Sequence, residues 1–321
     1  MRRHALGALS ALLLRAAAAP PRVGPWPTAQ ASYKVPALDS TDPSMWVHFP
    51  VCNVSDCPKF PLIAYVHGAA GGDIDLVGYW NHFSQLASYG FVVAAPDSCD
   101  AGCTDPSRGA PYTDCAGTPP LPPYALWAPW YGEQLKTIEW ARNMTAAHDP
   151  VFATIDWSVG VGAAGHSMGG QATTMSASAA CAAKWDIRAA ALHHPEIGAL
   201  PWGNTGVNVS VPVAAFTSSG DNLCTAATCA ATMAAFNSST QAATLPSAYR
   251  NVQGWSHLEP VLGEVFENPL LATYTAAWFK VHLNGDRTTY YDLLYGTGPD
   301  ALCQSEPMVG CYTLHAPSKG A

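Results

Sequence analysis

A serine between glycines is the residue whose surroundings point most clearly to chemistry. Residues 165–170 read GHSMGG and contain the Gly-x-Ser-x-Gly pattern, in which a serine lies on a tight turn between a strand and a helix. An apolar run precedes this pattern, and small, helix-compatible residues follow it. Those flanks supply the strand and the helix that the turn requires, so Ser167 is the candidate nucleophile.

A serine hydroxyl is a weak nucleophile unless a base takes its proton, so Ser167 needs a histidine that a carboxylate orients. In hydrolases with this turn, the acid follows one late strand and the histidine follows the next. Asp221 comes after a strand predicted over residues 211–216, and His257 comes after one predicted over residues 248–252. We therefore predict Asp221 as the acid and His257 as the base.

Several other residues compete for these roles. The fallback acids are Asp186 and Glu196, and the competing histidines are His193, His194 and His282. His193 and His194 precede Asp221 in the chain, and His282 lies inside the predicted terminal helix, so all three fit the base position poorly. Glu259 could pair with His257, although we interpret it as a polar residue of the loop.

Acyl transfer also requires two backbone N–H groups that point at the oxygen of the tetrahedral intermediate. Met168, directly after the nucleophile, supplies one of them. The turn after the strand predicted over residues 62–66 supplies the other, through the N–H of Ala69 or, as the near alternative, of Ala70. His67 begins that turn, and we interpret it as a structural residue that braces the backbone.

Strands and helices alternate along the chain, as the positioning of these residues demands. Strands are predicted over residues 45–51, 62–66, 91–95, 159–164, 189–192, 211–216 and 248–252, and helices from Tyr79 to Gly90, over residues 130–147 and over residues 270–283. Such alternation predicts an α/β protein with a sheet that is mostly parallel. Residues 98–124, with three cysteines and several prolines, predict a surface excursion near the ligand-facing edge of the sheet.

The composition limits the classes of partner. A chain of 321 residues with 49% hydrophobic residues can bury a full-sized core, and we expect one domain over residues 32–321. A formal net charge of -8 gives no basic surface for nucleic acid or an anionic membrane. We expect a monomer that binds an ester substrate and no nucleic acid.

The first 31 residues predict a targeting segment. Residues 1–4 (MRRH) and the short apolar run over residues 5–14 are typical of a secretory signal peptide, and a proline-rich approach follows. Cleavage after residues 16–19 or after residue 31 both fit, and an organelle transit peptide is the alternative. No second long apolar run follows, so we expect a secreted mature chain without an integral membrane segment.

Ten cysteines, an even number, favour an oxidising compartment. Short separations predict the pairs Cys52 with Cys57, Cys224 with Cys229, and Cys303 with Cys311. Cysteine and histidine spacings typical of a zinc site do not occur in the sequence. In a eukaryotic secretory route, glycosylation is expected at the sequons that begin at Asn53, Asn143, Asn208 and Asn237.

The motifs, in their order and spacing over about residues 60–311, resemble the secreted cutinase-like polyester hydrolases. The resemblance rests on GHSMGG, on the run around Asp156, on the helix over residues 133–141, on GWSH at residues 254–257 and on AWFK at residues 277–280. It implies a single-domain α/β-hydrolase fold, with a mostly parallel central sheet and helices on both faces. It also implies hydrolysis of carboxylic esters through an acyl-serine, without a metal or organic cofactor. The site it supports consists of Ser167, Asp221, His257, Ala69 and Met168.

The chain departs from this family at two pocket positions. The polyester hydrolases usually have an aromatic residue where Ala69 stands and a tryptophan where Glu196 stands, and the tryptophans that could replace these walls are Trp127, Trp130, Trp202 and Trp255. The His67-Gly68 turn, the additional cysteines and the long excursion over residues 98–124 resemble those of chlorophyllases and platelet-activating-factor acetylhydrolases of the same fold. A polyester, cutin-like or lipid ester is the expected substrate, with a small acyl ester or a chlorophyll-type ester as alternatives. A non-catalytic binding protein with a hydrolase fold is the alternative from another class.

Overall fold

A central sheet of nine strands organises the part of the chain that the structure describes. This computed structural model describes residues 23–35, 45–52, 57–68, 78–97, 128–195, 209–223, 244–261 and 269–319. The strands are β1 Thr28–Tyr33, β2 Met45–Pro50, β3 Leu62–Val66, β4 Val92–Pro96, β5 Val161–His166, β6 Ile187–His193, β7 Val213–Ser218, β8 Ser247–Val252 and β9 Met308–Leu314. Their order across the sheet is β1-β2-β4-β3-β5-β6-β7-β8-β9.

The middle of the sheet is parallel and its two borders are antiparallel. Strands β4, β3, β5, β6, β7 and β8 pair in parallel. Strand β2 pairs with β4, β1 with β2, and β9 with β8 in antiparallel fashion. Every residue of β3, β4 and β5 is buried, as expected for parallel strands that are covered on both faces. The prediction of a mostly parallel sheet is therefore confirmed.

Helices cover both faces of this sheet. They are α1 Trp80–Ser88, α2 Ala128–Ala146, α3 Met168–Ser176, α4 Ala179–Trp185, α5 Pro269–His282 and α6 Tyr291–Tyr295. On one face, apolar side chains of α2 and α3, such as Ile138 and Met175, join the core. On the other face, α1 and α5 contribute Phe83 and Trp278. The predicted α/β class with helices on both faces is confirmed.

Three differences from the predicted elements have simple physical reasons. Strand β7 lies two residues later than predicted and includes Thr217 and Ser218. Polar residues can continue a buried strand when their hydroxyls form hydrogen bonds, and the Thr217 hydroxyl donates to the Arg250 carbonyl oxygen. Strands β1 and β9 were not predicted. Both are border strands with half-buried residues, and they lack the apolar run that marks a central strand.

Two of the predicted disulfides lie within the described residues and are confirmed: Cys52 bonds with Cys57, and Cys303 bonds with Cys311. Cys181 is also disulfide-bonded. The predicted pair of Cys224 with Cys229 and the excursion over residues 98–124 lie outside the described residues. As far as the helices are described, none has both the length and the apolar character that crossing a membrane requires.

The centre of the sheet is also where the chain changes direction across it. After β3 the chain adds β4 on one side, and it later returns to add β5 on the other side of β3. At such a point, the connections that leave the carboxyl ends of the two strands diverge and open a crevice, which is where ligands bind in α/β folds. The first turn of α3 packs against the end of β3 here. A Cβ atom added to Gly169 would lie well inside van der Waals contact with the carbonyl oxygens of Val66 and His67.

We predict that Gly169→Ala destabilises the protein by about 2 kcal/mol or more, because the backbone of β3 must move to admit the methyl group. The matched control is Gly298→Ala, since a Cβ atom there meets nothing within 4 Å; it should change the free energy of unfolding by less than about 0.5 kcal/mol. Urea unfolding of both variants measures the difference. Equal stabilities would contradict this account of the packing.

Candidate active site

Ser167 lies on the abrupt connection between β5 and α3. β5 ends at His166 and α3 begins at Met168, so one residue makes the whole turn. Its backbone has φ 55° and ψ −121°, a conformation that residues other than glycine rarely adopt. The Ser167 N–H donates to the His193 carbonyl oxygen at 2.9 Å, which ties the turn to β6. Strain of this kind is typical of functional sites.

Neighbouring glycines allow this turn. A Cβ atom on Gly165 would overlap with the carbonyl group of Gly169, one turn further along the chain. A Cβ atom on Gly68, in the turn after β3, would lie 3.2 Å from the Ser167 Cβ atom. Glycine at these positions lets β5, α3 and the turn after β3 approach one another closely. The nucleophile pattern therefore reflects backbone packing as well as chemistry.

The structure brings Ser167, His257 and Asp221 together. The His257 Nε2 atom lies 2.8 Å from the Ser167 Oγ atom, and its Nδ1 atom lies 2.9 Å from the Asp221 Oδ2 atom. The carboxylate of Asp221 also accepts a hydrogen bond from the Leu223 N–H through Oδ1, at 2.8 Å. Because a carboxylate can only accept, the His257 Nδ1 atom carries a proton, and its Nε2 atom is free to accept from the serine hydroxyl.

The loops that carry Asp221 and His257 are bonded to each other. The Ser218 hydroxyl donates to the Trp255 carbonyl oxygen, and the Gly254 N–H donates to the Ser219 hydroxyl at 3.1 Å. Gly220 packs so closely that an added Cβ atom would overlap with the Trp255 carbonyl oxygen. The separation between acid and base is therefore set by direct contacts between the two loops.

His166 links the turn after β3 to the backbone of the base. Its Nε2 atom lies 2.7 Å from the His257 carbonyl oxygen, so Nε2 carries the proton and Nδ1 accepts from the Tyr79 hydroxyl. The same hydroxyl accepts from the Gly68 N–H at 3.1 Å. Burial, together with the neighbouring histidines, lowers the pKa of His166 well below its usual value, which keeps the ring neutral.

His194 forms a second contact with the acid, which the sequence did not reveal. Its Nδ1 atom lies 2.9 Å from the Asp221 Oδ2 atom, and its Nε2 atom lies 2.9 Å from the Glu259 Oε2 atom. All three side chains are fully buried. Burial by itself lowers the pKa of His194, but hydrogen bonds and charges from Asp221 and Glu259 outweigh it, and the pKa is raised.

The charges continue beyond Glu259. Arg250, fully buried in β8, donates through Nη1 to the Glu259 Oε1 atom at 3.4 Å and through Nη2 to the Glu306 carboxylate. Glu306 in turn accepts from the indole N–H of Trp255 at 3.2 Å. Burial favours a neutral Glu259, yet Arg250 and His194 overcome it, and the pKa of Glu259 is lowered. The interpretation of Glu259 as a polar loop residue was therefore wrong.

The remaining predicted residues are placed as follows. Met168 is the first residue of α3, where backbone N–H groups have no acceptor within the helix. Ala69, Ala70 and Glu196 lie outside the described residues. His67 is buried, and its Nδ1 atom lies 2.7 Å from the Gly68 carbonyl oxygen, in agreement with a structural role in the turn.

The competing residues other than His194 and Glu196 are bonded elsewhere. His193 lies between the Tyr65 hydroxyl and the Thr275 hydroxyl, and His282 contacts Tyr295. Asp186 pairs with Arg188 at the start of β6, at the opposite end of that strand from the serine. None of these three side chains contacts Ser167 through a described hydrogen bond. Of the four tryptophans considered as pocket walls, Trp130 lies in α2, Trp255 is half-buried, and Trp127 and Trp202 lie outside the described residues.

Within the described residues, one group has the composition of a metal site. His194, Asp221 and His257 each offer a ligand atom, and these atoms lie within 4.8 Å of one another. One nitrogen of each histidine already contacts the Asp221 Oδ2 atom, at 2.9 Å. A metal ion here would displace the hydrogen bonds that orient His257, so the arrangement fits a hydrogen-bonded acid and base better than a metal centre.

This fold and this site define a class of protein. A mostly parallel sheet with a serine on the turn after β5, an acid after β7 and a histidine after β8 is the arrangement of an α/β hydrolase. A model of the PET hydrolase-like family matches residues 131–309, more than half of the chain. The chain belongs to the PET hydrolase-like family, which makes it an ester hydrolase. A search of curated proteins found no match.

We predict that Arg250→Met destabilises the fold by about 3–5 kcal/mol, because two carboxylates lose their buried cation. The matched control is Arg188→Met, which breaks an ion pair with Asp186 in which 59% of the arginine side chain is exposed; it should cost less than about 1 kcal/mol. Chemical denaturation of both variants gives the comparison. Similar losses in the two variants would contradict the role given to the buried charges.

The raised pKa of His194 also predicts how stability depends on pH. Its folded value exceeds the unfolded value of 6.5, so its contribution is complete below pH 6.5 and is lost as pH rises through the folded value. The stability advantage of the wild type over His194→Asn should therefore shrink above pH 6.5, by about 1.4 kcal/mol per pH unit within that window. Urea unfolding at several pH values measures it, and an advantage that grows with pH would contradict the prediction.

Proposed function

We propose that this protein is a secreted serine carboxylic ester hydrolase, with a polyester, cutin-like or lipid ester as its substrate. The observation that carries the proposal is the continuous hydrogen-bonded path from the Ser167 hydroxyl through His257 to Asp221, with distances of 2.8 and 2.9 Å. Membership of the PET hydrolase-like family supports ester hydrolysis. The disulfides Cys52–Cys57 and Cys303–Cys311 support an oxidising compartment.

The reaction follows from this path. His257 takes the proton of Ser167 through Nε2 as the serine oxygen attacks the ester carbonyl carbon, and Asp221 stabilises the imidazolium that forms. The N–H groups of Met168 and Ala69 donate to the oxyanion. His257 then gives its proton to the leaving alcohol, which leaves an acyl-serine. Water, deprotonated by His257, attacks this acyl group and releases the acid.

The absence of two aromatic residues bears on the substrate. Alanine at position 69 is smaller, and glutamate at position 196 is more polar, than the aromatic residue and the tryptophan that are usual in the polyester hydrolases. Stacking against aromatic acids then depends on other residues, of which Trp255, in the loop that carries the base, is a candidate. We therefore favour aliphatic over aromatic polyesters.

The first test is hydrolysis of p-nitrophenyl esters from acetate to long acyl chains, by the wild type and by Ser167→Ala under non-reducing conditions. We expect the rate of the variant to fall by ~10⁴-fold or more, because no other group replaces the nucleophile. Ser158→Ala is the matched control: this serine is exposed and bonded to Asp156, and its loss should leave the rate unchanged.

Two outcomes would contradict the proposal. Equal inactivity of the wild type and Ser167→Ala, with both folded, would favour a binding protein that retains the hydrolase fold. Turnover of p-nitrophenyl acetate without release of acid from suspended aliphatic polyester or from emulsified lipid ester would overturn the substrate class and favour a small acyl ester. Hydrolysis of a chlorophyll-type ester, measured in the same series, tests the remaining alternative substrate.

A further inference from the structure

His194 has an unusual backbone as well as unusual neighbours. It follows β6 with φ 44°, in the left-handed region that non-glycine residues seldom adopt. Its N–H donates to the Phe216 carbonyl oxygen at 2.8 Å, and Pro195 follows it. Such a conformation persists only where the surrounding contacts hold it. The side chain of His194 is therefore placed with little freedom between β6, the loop after β7 and the loop after β8.

The two ring nitrogens of His194 both face carboxylate oxygens at 2.9 Å. A neutral imidazole has one N–H, so it would turn a lone pair towards either Asp221 or Glu259 in a buried site. Only an imidazolium can donate to both carboxylates. The geometry therefore favours a positively charged ring that is in direct contact with the acid of the site.

The described groups around His194 differ in charge. Arg250 contacts Glu259 and Glu306, and it neutralises the far side of the cluster. The neighbouring rings of His166 and His193 have a pKa well below the usual value because they are buried, and are thus neutral. Within the part of the chain that the structure describes, the titratable and charged groups around His194 are Asp221, Glu259, His166, His193, His257 and, behind Glu259, Arg250.

We propose that His194 is a positioning residue, whose imidazolium holds the Oδ2 atom of Asp221 and competes with His257 for the negative charge of that atom. This inference rests on the ester hydrolysis proposed above. The ring centroid of His194 lies 5.8 Å from that of His257, which is close enough for positive charges on the two rings to repel each other. Both rings contact the same Asp221 oxygen, so a positive charge on His194 opposes a positive charge that forms on His257 during the reaction.

His194→Asn tests this proposal with little disturbance of the backbone. Asparagine tolerates the left-handed conformation, and its side-chain amide keeps a donor for Asp221 while the charge is lost. We expect the acidic midpoint of the kcat/KM profile to move upward by about one pH unit, with a smaller change in the plateau rate. His194→Gly removes the donor as well, and its plateau rate should fall about 100-fold because the Oδ2 atom of Asp221 loses one of the contacts that orient it.

The matched control is His193→Asn, which replaces an adjacent buried histidine that contacts Tyr65 and Thr275 and does not contact Asp221 through a described hydrogen bond. It should reduce stability and leave the acidic midpoint unchanged. An unchanged midpoint in His194→Asn, or the same shift in both variants, would overturn the proposal. If the wild type itself hydrolysed no ester, that result would instead contradict the proposed ester hydrolysis.

A measurement that does not depend on turnover separates failure of the positioning role of His194 from failure of the proposed ester hydrolysis. Nitrogen NMR of the histidine-labelled wild type should show both nitrogens of His194 protonated at pH 7. The low-field proton of the hydrogen bond between His257 and Asp221 should move in His194→Asn and stay in place in His193→Asn. A neutral His194 ring, or a His257 proton that does not respond, would refute the positioning role even if no substrate were turned over.

Discussion

The turn at Ser167 is the constraint on which the rest of the site depends. One residue must connect a central strand to a helix, and its backbone at φ 55° is possible only because Gly165 and Gly169 let β5, α3 and β3 approach closely. The serine hydroxyl then stands at the carboxyl end of the sheet. His194, Asp221 and His257 follow the next three strands across the sheet, β6, β7 and β8, so one edge of one sheet brings the chemistry together.

Two buried polar networks hold these strand ends in register. The first runs from the Gly68 N–H through Tyr79 and His166 to the His257 backbone, and so ties the turn after β3 to the base. The second runs from Asp221 through His194, Glu259 and Arg250 to Glu306. Each network joins loops that are far apart in the chain. Loops of this kind are otherwise the mobile parts of a fold, and the networks give them fixed relative positions.

Sequence patterns predicted local features well and distant pairings poorly. The apolar run of β3 and the turn after β5 depend on neighbouring residues, so their positions were readable to within about two residues. The pairing of His194 with Glu259 joins positions 65 residues apart, and nothing near either residue marks it. Strand β1 has half-buried and exposed residues only, and it is a strand because β2 offers it a free edge. Charge partners and border strands depend on contacts between distant parts of the chain, which form only when the sheet assembles.

The most direct test of the account is covalent labelling of the nucleophile. The wild type is incubated with a p-nitrophenyl alkylphosphonate, and the modified peptide is identified by mass spectrometry. The account predicts one phosphonyl group on Ser167, release of one equivalent of p-nitrophenol, and much slower labelling in His257→Gln, since the base no longer activates the hydroxyl. A folded protein that takes up no label, or that carries it on another serine, would contradict the assignment of Ser167 as the nucleophile.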